Sequence, residues 1–135
     1  LLLGDSISIG YTPTVRARLA GVANVHRAME NCGPTTRGLA AIDRWLGDGK
    51  WDVIHFNFGL HDLANVDRAG QRVDPDASDA HPQVTLQQYE NNLRQLVGRL
   101  RETGATLIWC TTTPVPTGAL ARRSDDVHRY NQVAA

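Results

Sequence analysis

The chain has 135 residues, 41% of them hydrophobic, and its 14 basic and 14 acidic side chains cancel to a formal net charge of +0 at pH 7. That length suits a single domain with a core of its own, and the even balance leaves no electrostatic footprint for nucleic acid or an anionic surface. No stretch approaches a membrane span, and Cys32 and Cys110 are too few for a disulfide framework and lack metal-ligand spacing, so they read as free thiols.

Leu1-Leu2-Leu3 reads as a buried parallel strand that ends in Gly4-Asp5-Ser6. A loop then leads to a helix over residues 13–20, with Pro13 in its first turn and Gly21 after its end. Residues 22–28 are expected as a short strand anchored by Val22 and Val25. After a loop at 30–34, Thr35 or Thr36 can cap a helix with Leu39, Ile42, Trp45 and Leu46 on one face. Residues 51–58 form the clearest strand, expected to be buried on both faces. Residues 59–84 read as a long polar loop, a feature that in a compact domain is functional or disordered.

A helix is expected over 85–103, with Gly104 closing it, then a strand over 105–112 and a loop over 113–121. Ser124 is placed as the cap of a last helix carrying Val127, Tyr130 and Val133. Strands that alternate with helices predict an α/β fold. The expected architecture is three-layer α/β/α, with a flavodoxin-like parallel sheet whose first four strands run in the order 2-1-3-4. The chain opens inside an apolar run without Met and closes inside a helical pattern, so this one domain is expected to be truncated at both ends. Any targeting segment would lie upstream; a periplasmic or secreted setting is compatible, and compartment and oligomeric state stay open.

Ligands of open α/β sheets sit beyond the carboxyl ends of the strands, which puts the Ser6 hydroxyl where a nucleophile belongs. Gly-Asp-Ser is also ordinary turn chemistry, so its weight comes from the other loops at the same rim. Acyl transfer needs donors aimed at an oxyanion besides a nucleophile and a base. Gly33 offers a backbone N–H that no side chain shields, and Gly59-Leu60-His61-Asp62 follows the strongest strand. Tyr11 is a candidate pocket-lining residue. His55 reads as a satisfied core histidine, His26 and His81 read as surface residues, and Trp45, Trp51 and Trp109 suit core packing better than sugar stacking. No spacing suggests a metal site, and no cofactor is expected.

With these blocks the chain resembles the GDSL, or SGNH, family of esterases and lipases. Gly4-Asp5-Ser6 matches its nucleophile block and Gly33 its glycine block. Gly59-Leu60-His61-Asp62 stands where the family carries Gly-x-Asn-Asp, and it is similar to a bacterial branch with Gly-Leu-His-Asp. The resemblance implies Ser6 as nucleophile, an oxyanion hole from the N–H groups of Ser6 and Gly33, and the His61 imidazole in place of the family's Asn as third donor. Asp5, Tyr11 and Asp62 are candidates on the substrate side, Asp62 more readily as a partner of loop N–H groups.

The family's base lies in an Asp-x-x-His block beyond a fifth strand. Asp125-Asp126-Val127-His128 spells that pattern but precedes any fifth strand, and two acids after Ser124 are the signature of a helix start. The fifth strand and the true Asp/His pair are therefore expected to be missing. The implied activity is hydrolysis of small-molecule or glycan esters, foremost carbohydrate O-acetyl groups, with lysophospholipid-like acyl esters as a further option. A non-catalytic glycan-binding or interaction module on the same fold is the alternative.

Overall fold

The computed structural model describes residues 1–135. Three parallel strands form its main sheet: β1 (Leu2–Leu3), β2 (Val53–Phe56) and β5 (Thr106–Trp109), hydrogen-bonded in the order β1-β2-β5. Leu2 faces His55 across the first pair, and Ile54 faces Leu107 across the second. The helices are α1 (Ser6–Arg18), α2 (Thr35–Leu46), α3 (Leu86–Arg101) and α4 (Ser124–Ala134). A small antiparallel pair, β3 (Asn65–Val66) and β4 (His81–Pro82), lies between β2 and α3 in the chain.

Strand alternation divides the sheet into two unlike faces. Leu3, Ile54 and Phe56 turn to one side, where Trp45, Leu46, Leu93, Leu96, Leu100, Val127 and Tyr130 of α2, α3 and α4 complete the hydrophobic core. Gly38 makes the seating of α2 possible, since a Cβ there would meet the Phe58 ring at 3.0 Å and Leu96 at 3.2 Å. His55 turns to the other side, toward Tyr11 of α1. The architecture is thus mixed α/β with helices on both faces of a parallel sheet, compatible with three layers. No helix is long and apolar enough to cross a membrane.

Several expectations need correction. Residues 22–28 form no strand: the N–H groups of Val22 and Ala23 turn back to the Leu19 carbonyl, leaving a single parallel bridge between Leu2 and Arg27. The strand around β2 is not buried on both faces, because α1 covers that side of the sheet only in part and leaves Val53 43% and Ile108 46% exposed. His55 is half-buried, and its Nδ1 has no partner, so it is not a satisfied core histidine. Helix α1 begins at Ser6 instead of residue 13, with Pro13 inside it. Pro13 has no N–H to offer, and the Thr12 hydroxyl donates to the Ser8 carbonyl at 2.6 Å one position earlier.

Ser124 is the first residue of α4 and caps nothing; Arg123 precedes it without a side-chain cap, and Asp125 and Asp126 meet the helix dipole in the first turn. The three tryptophans pack: Trp45 is buried, Trp51 donates to the Leu46 carbonyl, and Trp109 lies 5.1 Å from the Phe56 ring. Cys32 is a buried free thiol and Cys110 an exposed one.

Helix α3 starts with a capping box, in which Thr85 Oγ1 accepts the Gln88 N–H and Gln88 Oε1 accepts the Thr85 N–H. Thr85→Ala should lower stability by about 1 kcal/mol, read as a shift in the urea midpoint at an unchanged slope.

Candidate active site

Gly4, Asp5 and Ser6 have separate tasks at the end of β1. A Cβ on Gly4 would lie 2.9 Å from the Ser8 Cβ, so the missing side chain lets the first turn of α1 fold back onto the strand end. Asp5 is 5% exposed and occupies the N-cap, its Oδ1 accepting the Ile7 N–H at 2.9 Å. Ser6 is then the first helical residue and is exposed. Its N–H has no intrahelical acceptor, and the cap carboxylate serves Ile7. A free hydroxyl and a free donor therefore sit together at the positive end of a helix. The substrate contact expected of Asp5 is corrected: its buried carboxylate is used as the cap.

The glycine loop is tied to this turn by an exchange of two bonds. The Cys32 N–H donates to the Gly4 carbonyl at 3.2 Å, and the Gly4 N–H donates to Cys32 Sγ at 3.2 Å. Burial pushes the Cys32 thiol up to about 11, which keeps it a neutral partner. Gly33 follows with φ +62°, a left-handed conformation that suits glycine. Its N–H donates to Asn31 Oδ1 at 2.9 Å, so this donor can serve an oxyanion only after the Asn31 side chain turns away. The sequence carried the signal for that turn, an Asn two residues before a Gly. Glu30 anchors the loop to α2 by accepting from Arg37, Arg44 and the Trp45 indole.

The third block leaves β2 through Gly59, at φ +137°, where a Cβ would come within 3.0 Å of the Thr112 Cβ. His61 is half-buried, and its basicity is lowered first by burial and then by Arg72, Arg122 and Arg37, while Asp5 works in the opposite direction. His61 lies on the loop that follows β2, the strand paired with β1, whose end carries Ser6. Arg122 donates to the Leu60 carbonyl at 2.8 Å, and Arg72 Nη2 lies 3.4 Å from His61 Nδ1.

Asp62 is fully buried, and its Oδ1 accepts both the Thr35 N–H at 2.8 Å and the Thr35 hydroxyl at 2.5 Å. Asn92 of α3 donates in turn to the Thr35 hydroxyl at 3.0 Å. Thr35 opens α2 without a side-chain cap of its own, so the cap expected from Thr35 or Thr36 is supplied by a carboxylate 27 positions away. This bond joins the His61 loop to the Gly33 loop. It also places Asp62 in a supporting role instead of on the substrate. Asn92, Arg72 and the pairing of Thr35 with Asp62 were missed in the sequence, because nothing local marks a cap or contact made at such separation.

Tyr11 sits edge-on to His55, with ring centroids 6.2 Å apart, on the sheet face covered by α1. His128 and Asp125 are both exposed on α4. The imidazole hydrogen bonds in the chain are those of His61 with Arg72 and of His81 with the Asp79 carbonyl, so no imidazole is bonded to Ser6. A groove of about 800 Å³, lined by Leu93, Val97, Leu107, Trp109 and Val133, includes none of the candidate residues. No group of three His, Cys, Asp or Glu side chains is disposed to hold a metal ion.

No protein-family model and no curated protein sequence matches the chain. The structure is similar to the crystal structure of an acetyl xylan esterase, AlAXEase, with a TM-score of 0.74 at 14% sequence identity, over 98% of this chain and 68% of that one. The fold is esterase-like. At that identity the similarity speaks for the arrangement of strands and helices and is silent on individual residues.

Burial raises the Asp62 carboxyl from an ordinary 3.8 to about 6, against the pull of the two Thr35 bonds. Its proton is retained in the folded chain when the unfolded chain has released it. The stabilisation this gives is full below about pH 4 and is lost as the pH rises through 6, on the order of 2–3 kcal/mol. Asp62→Asn keeps an acceptor for Thr35 and abolishes the titration. Urea midpoints of the wild type should therefore fall more steeply between pH 4 and pH 7 than those of the variant; parallel slopes would remove Asp62 as the titrating group.

Proposed function

We propose that the chain is the nucleophile- and oxyanion-bearing part of a serine ester hydrolase of the GDSL type acting on carbohydrate O-acetyl esters. The observation that carries the reading is Ser6 itself: an exposed hydroxyl on the first residue of α1, beyond the end of β1, beside its own unengaged N–H. The esterase-like fold supports the reaction class, and the similar acetyl xylan esterase supports an acetylated glycan as substrate.

In this mechanism Ser6 Oγ attacks the ester carbonyl carbon while a general base removes the hydroxyl proton. The carbonyl oxygen becomes an oxyanion, held by the Ser6 N–H and the His61 side chain, and by the Gly33 N–H once Asn31 releases it. Collapse expels the sugar alcohol, which takes up the proton, and leaves acetyl-Ser6; water then repeats the sequence to free acetate. The base is supplied from outside the groups described above, since no imidazole here is bonded to Ser6. That same observation favours a second reading, a non-catalytic glycan-binding module on this fold.

Residues 1–135 alone should hydrolyse aryl acetates only at the residual level left by an oxyanion hole without its base, roughly a thousand- to ten-thousand-fold over water, and Ser6→Ala should lower that level little further. Robust hydrolysis that vanishes in His128→Ala would overturn the assignment of the base. Binding of acetylated xylo-oligosaccharides with no Ser6-dependent turnover in any longer form of the protein would favour the module.

In the active protein a fluorophosphonate should label Ser6, and labelling that survives Ser6→Ala unchanged would sink the nucleophile. There His61→Ala should cost on the order of a hundred- to a thousand-fold in kcat, with His61→Asn restoring part of it. Wild-type turnover by the alanine variant would return His61 to a packing role.

A further inference from the structure

We propose that Arg72 is a positioning residue that holds His61 as the neutral tautomer with its proton on Nε2, an inference that rests on reading His61 as an oxyanion donor. A neutral imidazole has one donor nitrogen and one acceptor, and which is which depends on what the other nitrogen meets. A guanidinium only donates. With Arg72 Nη2 at 3.4 Å from His61 Nδ1, the attractive arrangement puts the lone pair on Nδ1 and the proton on Nε2. A proton on Nδ1 would set N–H against N–H, and an imidazolium would add a like charge to a site already flanked by Arg122 and Arg37. His61 Nε2 makes no hydrogen bond within the chain and is free for substrate.

Arg72 is set in place by a built turn. Asp67 Oδ1 accepts the Ala69 N–H at 2.9 Å and the Gln71 N–H at 2.8 Å, the Asp67 N–H donates to the Gln71 carbonyl, and Gly70 takes φ +79° at the tip. The chain thus reverses and pairs Arg72 antiparallel to Val66, five residues beyond His61. Val73 continues the contact by donating to the Asn65 carbonyl at 3.2 Å. No carboxylate forms an ion pair with Arg72, so its directed contact is the imidazole; Arg37, by contrast, is paired to Glu30. An amide carries its donor N–H₂ permanently, whereas an imidazole presents a donor on a given nitrogen only when the tautomer is fixed. Arg72 supplies what a histidine at this position lacks.

The test reads the tautomer directly, by long-range 1H–15N correlation spectra of the histidine rings in the 135-residue chain at a pH where His61 is neutral. The wild type should show a protonated Nε2 and an unprotonated Nδ1 for His61, assigned by its loss in His61→Asn. Arg72→Met should move the ring to a mixed tautomer population, and Arg72→Lys, which keeps a cationic donor, should retain much of the bias. A protonated Nδ1 in the wild type, or a tautomer unchanged in Arg72→Met, would overturn the proposal. In the active protein Arg72→Met should lower kcat roughly tenfold with little change in KM when residue 61 is His, and leave kcat unaltered in the His61→Asn background. Equal losses in both backgrounds would also overturn it. The oxyanion-hole assignment fails by a separate result, full turnover by His61→Ala.

Discussion

The bond between the Asp62 carboxylate and the first residue of α2 is the constraint on which the rim of the sheet depends. It satisfies a helix N-terminus that has no cap of its own, and it does so from the loop that carries His61. Both partners are out of water, so loss of the acceptor would strand a buried N–H, a fault that costs more than an ordinary hydrogen bond contributes. The Asn92 amide extends the link to α3. Two loops far apart in sequence are thereby fixed relative to each other and to the helices of the core. The remaining oxygen of Asp62 has no partner, which fits a carboxyl that stays protonated unusually far up the pH scale.

A second tie, between Gly4 and Cys32, adds the nucleophile turn to the same frame. The glycine loop is thus held on both sides, and Ser6, Gly33 and His61 sit on elements whose positions are set by buried hydrogen bonds. The helix that carries Ser6 is itself lightly attached: its buried side chains are Ser8 and Thr12, and Ile7 and Ile9 are exposed. Stability comes from the face covered by α2, α3 and α4, and the nucleophile sits at the edge of the thinner layer. Such a division suits a site on a rigid scaffold.

Much of the frame was legible in the residues. The apolar stripe of α2, the core face of α3 and the branched run at β2 all appeared where periodicity placed them. The blocks around Ser6, Gly33 and His61 were legible because glycine and polar residues interrupt apolar runs there. Errors cluster where local preference was outvoted. Pro13 suggested a helix start, yet the Asp5 cap begins α1 a full two turns earlier. Two valines suggested a strand, yet the Leu19 turn takes up Val22 and Ala23 and only a single bridge at Arg27 pairs with β1. The polar composition of residues 59–84 concealed a fully buried Asp62-Leu63-Ala64 run and a small antiparallel pair, because each is held by partners distant in the chain.

By itself the sequence determined the α/β class, the helical faces that make the core, and the three motif blocks, since each follows from patterns within a few residues. Tertiary structure alone decided that Asp5 is a cap and Asp62 a cross-link, that the Gly33 N–H is engaged by Asn31, and that Arg72 stands against His61. It also decided that His128 faces solvent, apart from any bond to Ser6. The physical reason is the range of the interaction. Capping, alternation and turn chemistry act between near neighbours, whereas the partner of a buried carboxylate or an imidazole nitrogen is chosen by which loops the packed sheet brings together.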